Sequence, residues 1–123
     1  MKEKLELLRK NLLVELSSWA GLSPTPGTSG TIITTDHKIY YYHSYLILKD
    51  NTIDESLSEG LLISNQDYQK IENYIEDNLN KDFEYIKIFD AGFTIRTKNK
   101  TIANHLEEYN ELKKLIMTIE GEK

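Results

Sequence analysis

The chain contains no cysteine. Disulfides, thiolate zinc sites, iron–sulfur clusters and cysteine nucleophiles are therefore excluded. It also lacks any long apolar run. Leu12-Leu13-Val14 is cut short by Glu15, and Met1-Lys2-Glu3-Lys4-Leu5-Glu6 mixes charge with apolar residues from the outset. A signal peptide needs about 7–15 consecutive apolar residues, and a membrane span about 20. The expected setting is the cytoplasm, without membrane contact. Proline is scarce too: its two copies, Pro24 and Pro26, stand together between Gly21 and Gly27. Residues 21–30 are thus expected to form a flexible loop.

What is present is ordinary globular material. Of 123 residues, 39% are apolar and 28% charged, which argues against disorder as the default. That length suits one domain able to bury roughly 65–70% of its unfolded surface. A single domain over 1–123 is expected, with 120–123 a frayed tail.

Apolar spacing sets the order of elements. Leu5, Leu8, Leu12, Leu16 and Trp19 recur at steps of three and four, which predicts one helix over 2–20 ending at Gly21. Residues 31–35 and 39–48 are rich in β-branched and aromatic side chains, with Asp36-His37-Lys38 as the turn between two strands. A polar connector, 49–60, follows. Ser64 with Asp67 three residues on forms an acidic variant of the capping box, and Ile63 and Tyr68 stand where a hydrophobic staple forms. The stripe Tyr68, Ile71, Ile75 and Leu79 continues that helix to about Asn80. Residues 84–89 and 93–97 read as a second hairpin around Asp90-Ala91-Gly92, with Gly92 taking positive φ. Ile102, Leu106, Tyr109, Leu112, Ile116 and Ile119 trace a last helix from about residue 101. The expected fold class is α+β in the order α-β-β-α-β-β-α. Its two hairpins form a four-stranded antiparallel sheet, with three helices mainly on one face. Leu8, Leu12, Ile71, Ile75, Ile86, Ile95, Leu106 and Leu112 are the expected core.

No local motif identifies a reaction. His37, His43 and His105 share no metal-pair spacing. His105 with Glu108 would place two ligands on one helix face, but a histidine beside a solvated glutamate explains the pair more simply. Gly27-Thr28-Ser29-Gly30-Thr31 offers amides and hydroxyls for an anion, yet no lysine follows and the next element is a strand. The serines lie in none of the local contexts that activate a hydroxyl. No catalytic residue, metal or cofactor is assigned, and the chain is expected not to be an enzyme. A dispersed acid–base site remains the alternative, because such sites leave no local signature.

Two features stand out. Residues 50–84 carry ten acids and two bases, net −8, in a chain of net −5, so the remainder sums to +3. Acid concentrated on one helix and its flanks makes a local field that attracts a basic partner. The second feature is the tyrosine-rich strand. The sets Tyr40, Tyr42, Ser44 and Ile39, Tyr41, His43, Tyr45 must divide between two sheet faces, and the second hairpin should turn Tyr85, Lys87 and Phe89 outward. Aromatics on an open face serve ligand stacking or self-association. The functional expectation is a small, acidic, non-catalytic protein–protein interaction module, in its most specific form an immunity-type inhibitor of a basic toxin or effector. Its expected partner-binding residues are Glu72, Glu76, Asp77, Tyr42 and Tyr85. The alternative is a sheet-face binder of a small ligand or single-stranded nucleic acid. Net acidity opposes the nucleic acid, and a homodimer is a further expectation.

Overall fold

A computed structural model describes residues 1–88 and 90–121, the side chains at 120 and 121 excepted. The expected strand position of Phe89, and the frayed tail at Glu122 and Lys123, lie outside the described residues. The fold is α+β, with three α-helices and one large antiparallel sheet, but the sheet is wider than four strands and the order of elements differs from the expected one. α1 (Lys2–Arg9) leads into β1 (Leu12–Ala20), β2 (Gly27–Thr34), β3 (Lys38–Ile47), β4 (Thr52–Leu57) and the two-residue β5 (Leu61–Leu62). Then come α2 (Asn65–Tyr74), its π-helical continuation Ile75–Leu79, β6 (Ala91–Thr97), β7 (Thr101–Ala103) and α3 (Leu106–Gly121). The strands lie in the order β4-β3-β2-β1-β6-β7, all antiparallel, with β5 pairing β3.

The expected helix over 2–20 is the main correction. Only its first eight residues are helical, and Leu12–Ala20 is the central strand, paired with β2 on one edge and β6 on the other. A strand covered on both faces has no need to alternate, so its apolar residues also satisfy a helical spacing. An irregularity in register between Leu12 and Val14 sends these two residues to opposite faces. Leu12 packs with Leu5, Ile32 and Tyr42 beneath α1. Val14 and Leu16 join Ile33, Ile39, Ile71, Ile95, Ile102, Leu112 and Ile116 in the larger core under α2 and α3. Helices therefore lie on both faces of the sheet, not mainly on one.

The second expected hairpin also forms differently. Ala91 and Gly92 are strand, not turn, and Gly92 is not among the positive-φ residues. The position beside β6 is taken by β1, so residues 82–88 have no ladder. Side chains hold that segment instead: Asn104 Nδ2 donates to Ile86 O at 2.6 Å, and His105 Nε2 meets Glu84 O at 2.5 Å. Ile86 is consequently exposed rather than buried. Residues 101–103, expected to open the last helix, form β7, and Leu106 at the start of α3 is 57% exposed. The connector 49–60 contains β4, and β2 begins inside the expected loop, at Gly27.

The turn expected at 36–38 forms one residue earlier, at 35–37, with His37 at φ 64 and its ring stacked on Tyr68 at 3.8 Å. Ser64 Oγ accepts from Asp67 N at 3.1 Å, with Ile63 and Tyr68 buried on either side of this cap. Tyr74 Oη reaches Glu108 O and Glu111 Oε1 and ties α2 to α3. Burial first, then the Glu111 carboxylate, push the Tyr74 phenol above its ordinary range. Ile71, Ile95, Leu12 and Leu112 are buried, while Leu8 and Ile75 are partly so. Among the described residues no helix is long and apolar enough to cross a membrane. Leu112→Ala should cost about 2–5 kcal/mol in urea denaturation, as a fully enclosed leucine does. Leu106→Ala, on the same helix but exposed, should change stability by less than about 0.5 kcal/mol.

Candidate functional site

The acid-rich residues 50–84 follow the chain from the β3–β4 turn, along the outer strand β4, through β5 and into α2. They make two surfaces. On α2 and its π-helical end, Tyr68, Ile71 and Leu79 point into the core, which leaves Glu76 and Asp77 exposed and Glu72 at the boundary. Glu72 and Glu76 line a cavity of about 360 Å³ whose apolar wall includes Leu12, Leu13, Tyr68 and Ile75. Lys100 also lines it, but its ammonium is committed to the carbonyls of Leu79 (2.9 Å) and Lys81 (2.6 Å), where the π-helix ends. On the β3–β4 hairpin, Asp50, Asp54, Glu55 and Glu59 are exposed. Asp54 meets His43 Nε2 at 3.1 Å. Among the described residues, no ion pair engages Asp50, Glu55, Glu59, Glu72, Glu76 or Asp77.

The acid outside this segment that matters most is Glu15 on β1. Its side chain is only 3% exposed. Arg9 grips it with two bonds, Nε to Oε1 at 2.7 Å and Nη2 to Oε2 at 2.8 Å. Tyr42 Oη donates to Oε2 at 2.5 Å, and Arg96 from β6 stands 3.9 Å from Oε1. Burial alone would raise the Glu15 carboxyl. The bonds from Arg9 and Tyr42, with the charges of Arg9 and Arg96, outweigh it and hold the group below its ordinary range. Tyr42 is pushed above the ordinary phenol range by burial first and by Glu15 second.

Gly30 makes this reach possible. Tyr42 lies across β2 toward β1, and a Cβ at Gly30 would stand 2.5 Å from its ring. Tyr42 is thus a buried member of an ion-pair network, whereas Tyr85 is 75% exposed on the unpaired segment before β6. The five residues expected to bind a partner therefore occupy three separate places: Glu72, Glu76 and Asp77 on α2, Tyr42 under α1, and Tyr85 on the opposite side of the sheet order. Arg9, Glu15 and Arg96 escaped sequence reasoning. The one signal for them was an acid inside the otherwise apolar run 12–16.

His43 has Asp54 on Nε2 and Ser56 3.4 Å from Nδ1, the order of a nucleophile–base–acid chain. The Ser56 contact is longer than the roughly 2.6–3.2 Å of a working proton transfer, and both Ser56 and Asp54 are exposed. Gly27–Thr31 lies within β2 and is laddered to β1 and β3, so its amides serve the sheet rather than an anion. His105 contacts Glu84 O and the edge of Phe83. Among the described residues no group of three His, Asp or Glu is placed to hold a metal ion. Beside α3, Ser18, Ser29, Tyr41, His43, Tyr45, Tyr109 and Lys113 line an open cleft of about 310 Å³.

No known protein family matches the chain, and no curated protein or solved structure is significantly similar to it.

The Glu15 network yields a test of stability. Arg9→Met leaves a buried carboxylate with only the Tyr42 bond and the more distant Arg96; it should cost about 3 kcal/mol, while Arg9→Met with Glu15→Leu should regain most of that loss. Because the folded carboxyl is held low, Glu15 stabilises the fold above its unfolded range, and this contribution disappears as pH falls through the folded value. In Arg9→Met the folded carboxyl moves up toward its unfolded value, so the loss of stability on acidification should be smaller than in the wild type. Urea denaturation from pH 7 to pH 3 checks both outcomes.

Proposed function

We propose that the chain is a non-catalytic protein-binding module of the cytoplasm that takes a basic partner through the acidic surface of residues 50–84. Its most specific form is an immunity-type inhibitor that covers a basic toxin or effector. One observation carries this reading: Glu72, Glu76 and Asp77 along α2 and its π-helical end, and Asp50, Asp54, Glu55 and Glu59 around β4, have no lysine or arginine partner among the described residues, while the acid buried in the sheet has two arginines. Unpaired surface charge of one sign contributes little to folding and much to the rate of encounter with the opposite sign.

A second reading rests on the cleft beside α3. There the rings of His43 and Tyr45 stack at 5.1 Å, and Lys113 supplies a cation, which suits a small anionic or ring-bearing ligand. The net charge of −5 weighs against single-stranded nucleic acid at this cleft.

The test purifies the protein with its partner from the native host and measures association of the separated pair. Glu72→Lys/Glu76→Lys/Asp77→Lys should slow association about tenfold or more at low salt, with the difference shrinking as salt shortens screening to about 8 Å or less. The melting temperature should be unchanged. Equal rates at every salt concentration, or nucleic acid as the co-purifying species, would overturn the basic-protein reading.

A further inference from the structure

We infer that β4 is a docking edge to which a cation-bearing strand of the partner adds as a further strand of the sheet. This rests on the protein-binding reading and names the surface and the binding mode. β4 ends the sheet order, and Thr52–Ser56 are exposed throughout. Ser58 N donates to Tyr41 O at 2.8 Å, which fixes the phase of the β3–β4 ladder. In that phase His43↔Ser56 and Tyr45↔Asp54 exchange backbone bonds, whereas the N–H and C=O of Ile53, Glu55 and Leu57 point away from β3. The outer edge therefore presents three residues' worth of open backbone donors and acceptors, the requirement for strand addition.

Side chains along this edge define the occupant. Ile53 (67% exposed) pairs across the ladder with Leu46, and both lie on the α1 side of the sheet. On the same side Leu57 leads into a groove of about 380 Å³ with Leu7, Leu8 and Tyr40, in which Leu7 is 60% exposed. Lys4 and Glu59 stand at its rim. Residues 50–59 hold four acids, Asp50, Asp54, Glu55 and Glu59, and no base. A second copy of β4 would bring Asp54 and Glu55 against their own like, which destabilises a strand pair. Glu55 shares the α1 side with Ile53 and Leu57, and Asp54 faces the other side, so a strand alternating lysine or arginine with β-branched residues sets its cations on the Asp54 side and its apolar side chains toward the groove.

The probe is an acetylated, amidated peptide of about eight residues alternating lysine and valine, titrated into isotope-labelled full-length protein and followed by amide chemical shifts. The amides of Ile53, Glu55 and Leu57 should move and gain protection from hydrogen exchange. A matching glutamate–valine peptide should leave them in place. Glu55→Pro removes an outward N–H without touching the β3 ladder, and it should weaken binding by roughly tenfold or more. Glu55→Gln keeps the edge and should lose only a few-fold, chiefly at low salt. Methylating alternate backbone nitrogens of the lysine–valine peptide should abolish binding with the protein unaltered, which decides the matter if Glu55→Pro does not fold. Shifts confined to Glu72, Glu76 and Asp77 would overturn strand addition while leaving a basic partner in place. Absence of shifts on either surface at low salt would overturn both. Concentration-dependent dimers with protected β4 amides in the free protein would assign the edge to a second copy and overturn the proposal.

Discussion

β1 has strands on both edges and helices over both faces, and the rest of the structure is arranged to satisfy it. Val14 and Leu16 demand a deep apolar cover on one side, which α2 and α3 supply. On the other side Glu15 points into a place from which water is excluded, so its charge has to be met by protein groups. α1 brings Arg9, β3 brings Tyr42 across the bare backbone of Gly30, and β6 brings Arg96. One short helix and three strands are thereby tied to a single carboxylate. A carboxylate held this way adds positional specificity even where its net stabilisation is modest, since an alternative register would leave it unpaired.

The same division of labour explains the charge pattern. Around Glu15 the acids and bases of the chain are spent on one another, inside the fold. Over residues 50–84 few are: Lys70 meets Asp67 at 3.8 Å, and Lys100 is turned to the end of the π-helix rather than to Glu72 or Glu76 beside it. The acid-rich segment also supplies the outermost strand of the sheet. Charged residues on an edge commonly guard against self-pairing, and Asp54 and Glu55 serve that end on β4. A guard of one sign repels a copy of itself and attracts a strand of the opposite sign. Protection and recognition are then two consequences of one electrostatic arrangement.

How much of this was legible in the residues differs element by element, for physical reasons. Signals that act within a few residues were readable: the cap at Ser64 with its flanking Ile63 and Tyr68, the turn at 35–37, and the stripe Tyr109, Leu112, Ile116 and Ile119 of α3. Local hydrogen bonds and a single buried face leave a period in the sequence. Glu76 and Asp77 on the π-helical end were legible as exposed because the opposite stripe was plainly apolar. What failed was every inference that depended on a neighbour distant in sequence. Leu12–Ala20 looks helical because a strand enclosed on both faces has no alternation to show. Residues 84–88 look like a strand but have no ladder, because β1 takes the place beside β6.

The sequence by itself determined an α+β chain with antiparallel strands, a capped middle helix, a C-terminal helix and an acid-rich middle, since composition, turns and caps act locally. Tertiary structure alone decided that the first apolar run is the central strand, that Tyr42 is a buried partner of Glu15, and that the connector 49–60 becomes an open sheet edge. These outcomes hang on which segments meet across sequence separations such as the 27 residues between Glu15 and Tyr42. Burial on two faces and pairing on two edges are properties of the assembled sheet, and no single segment carries them in its own pattern.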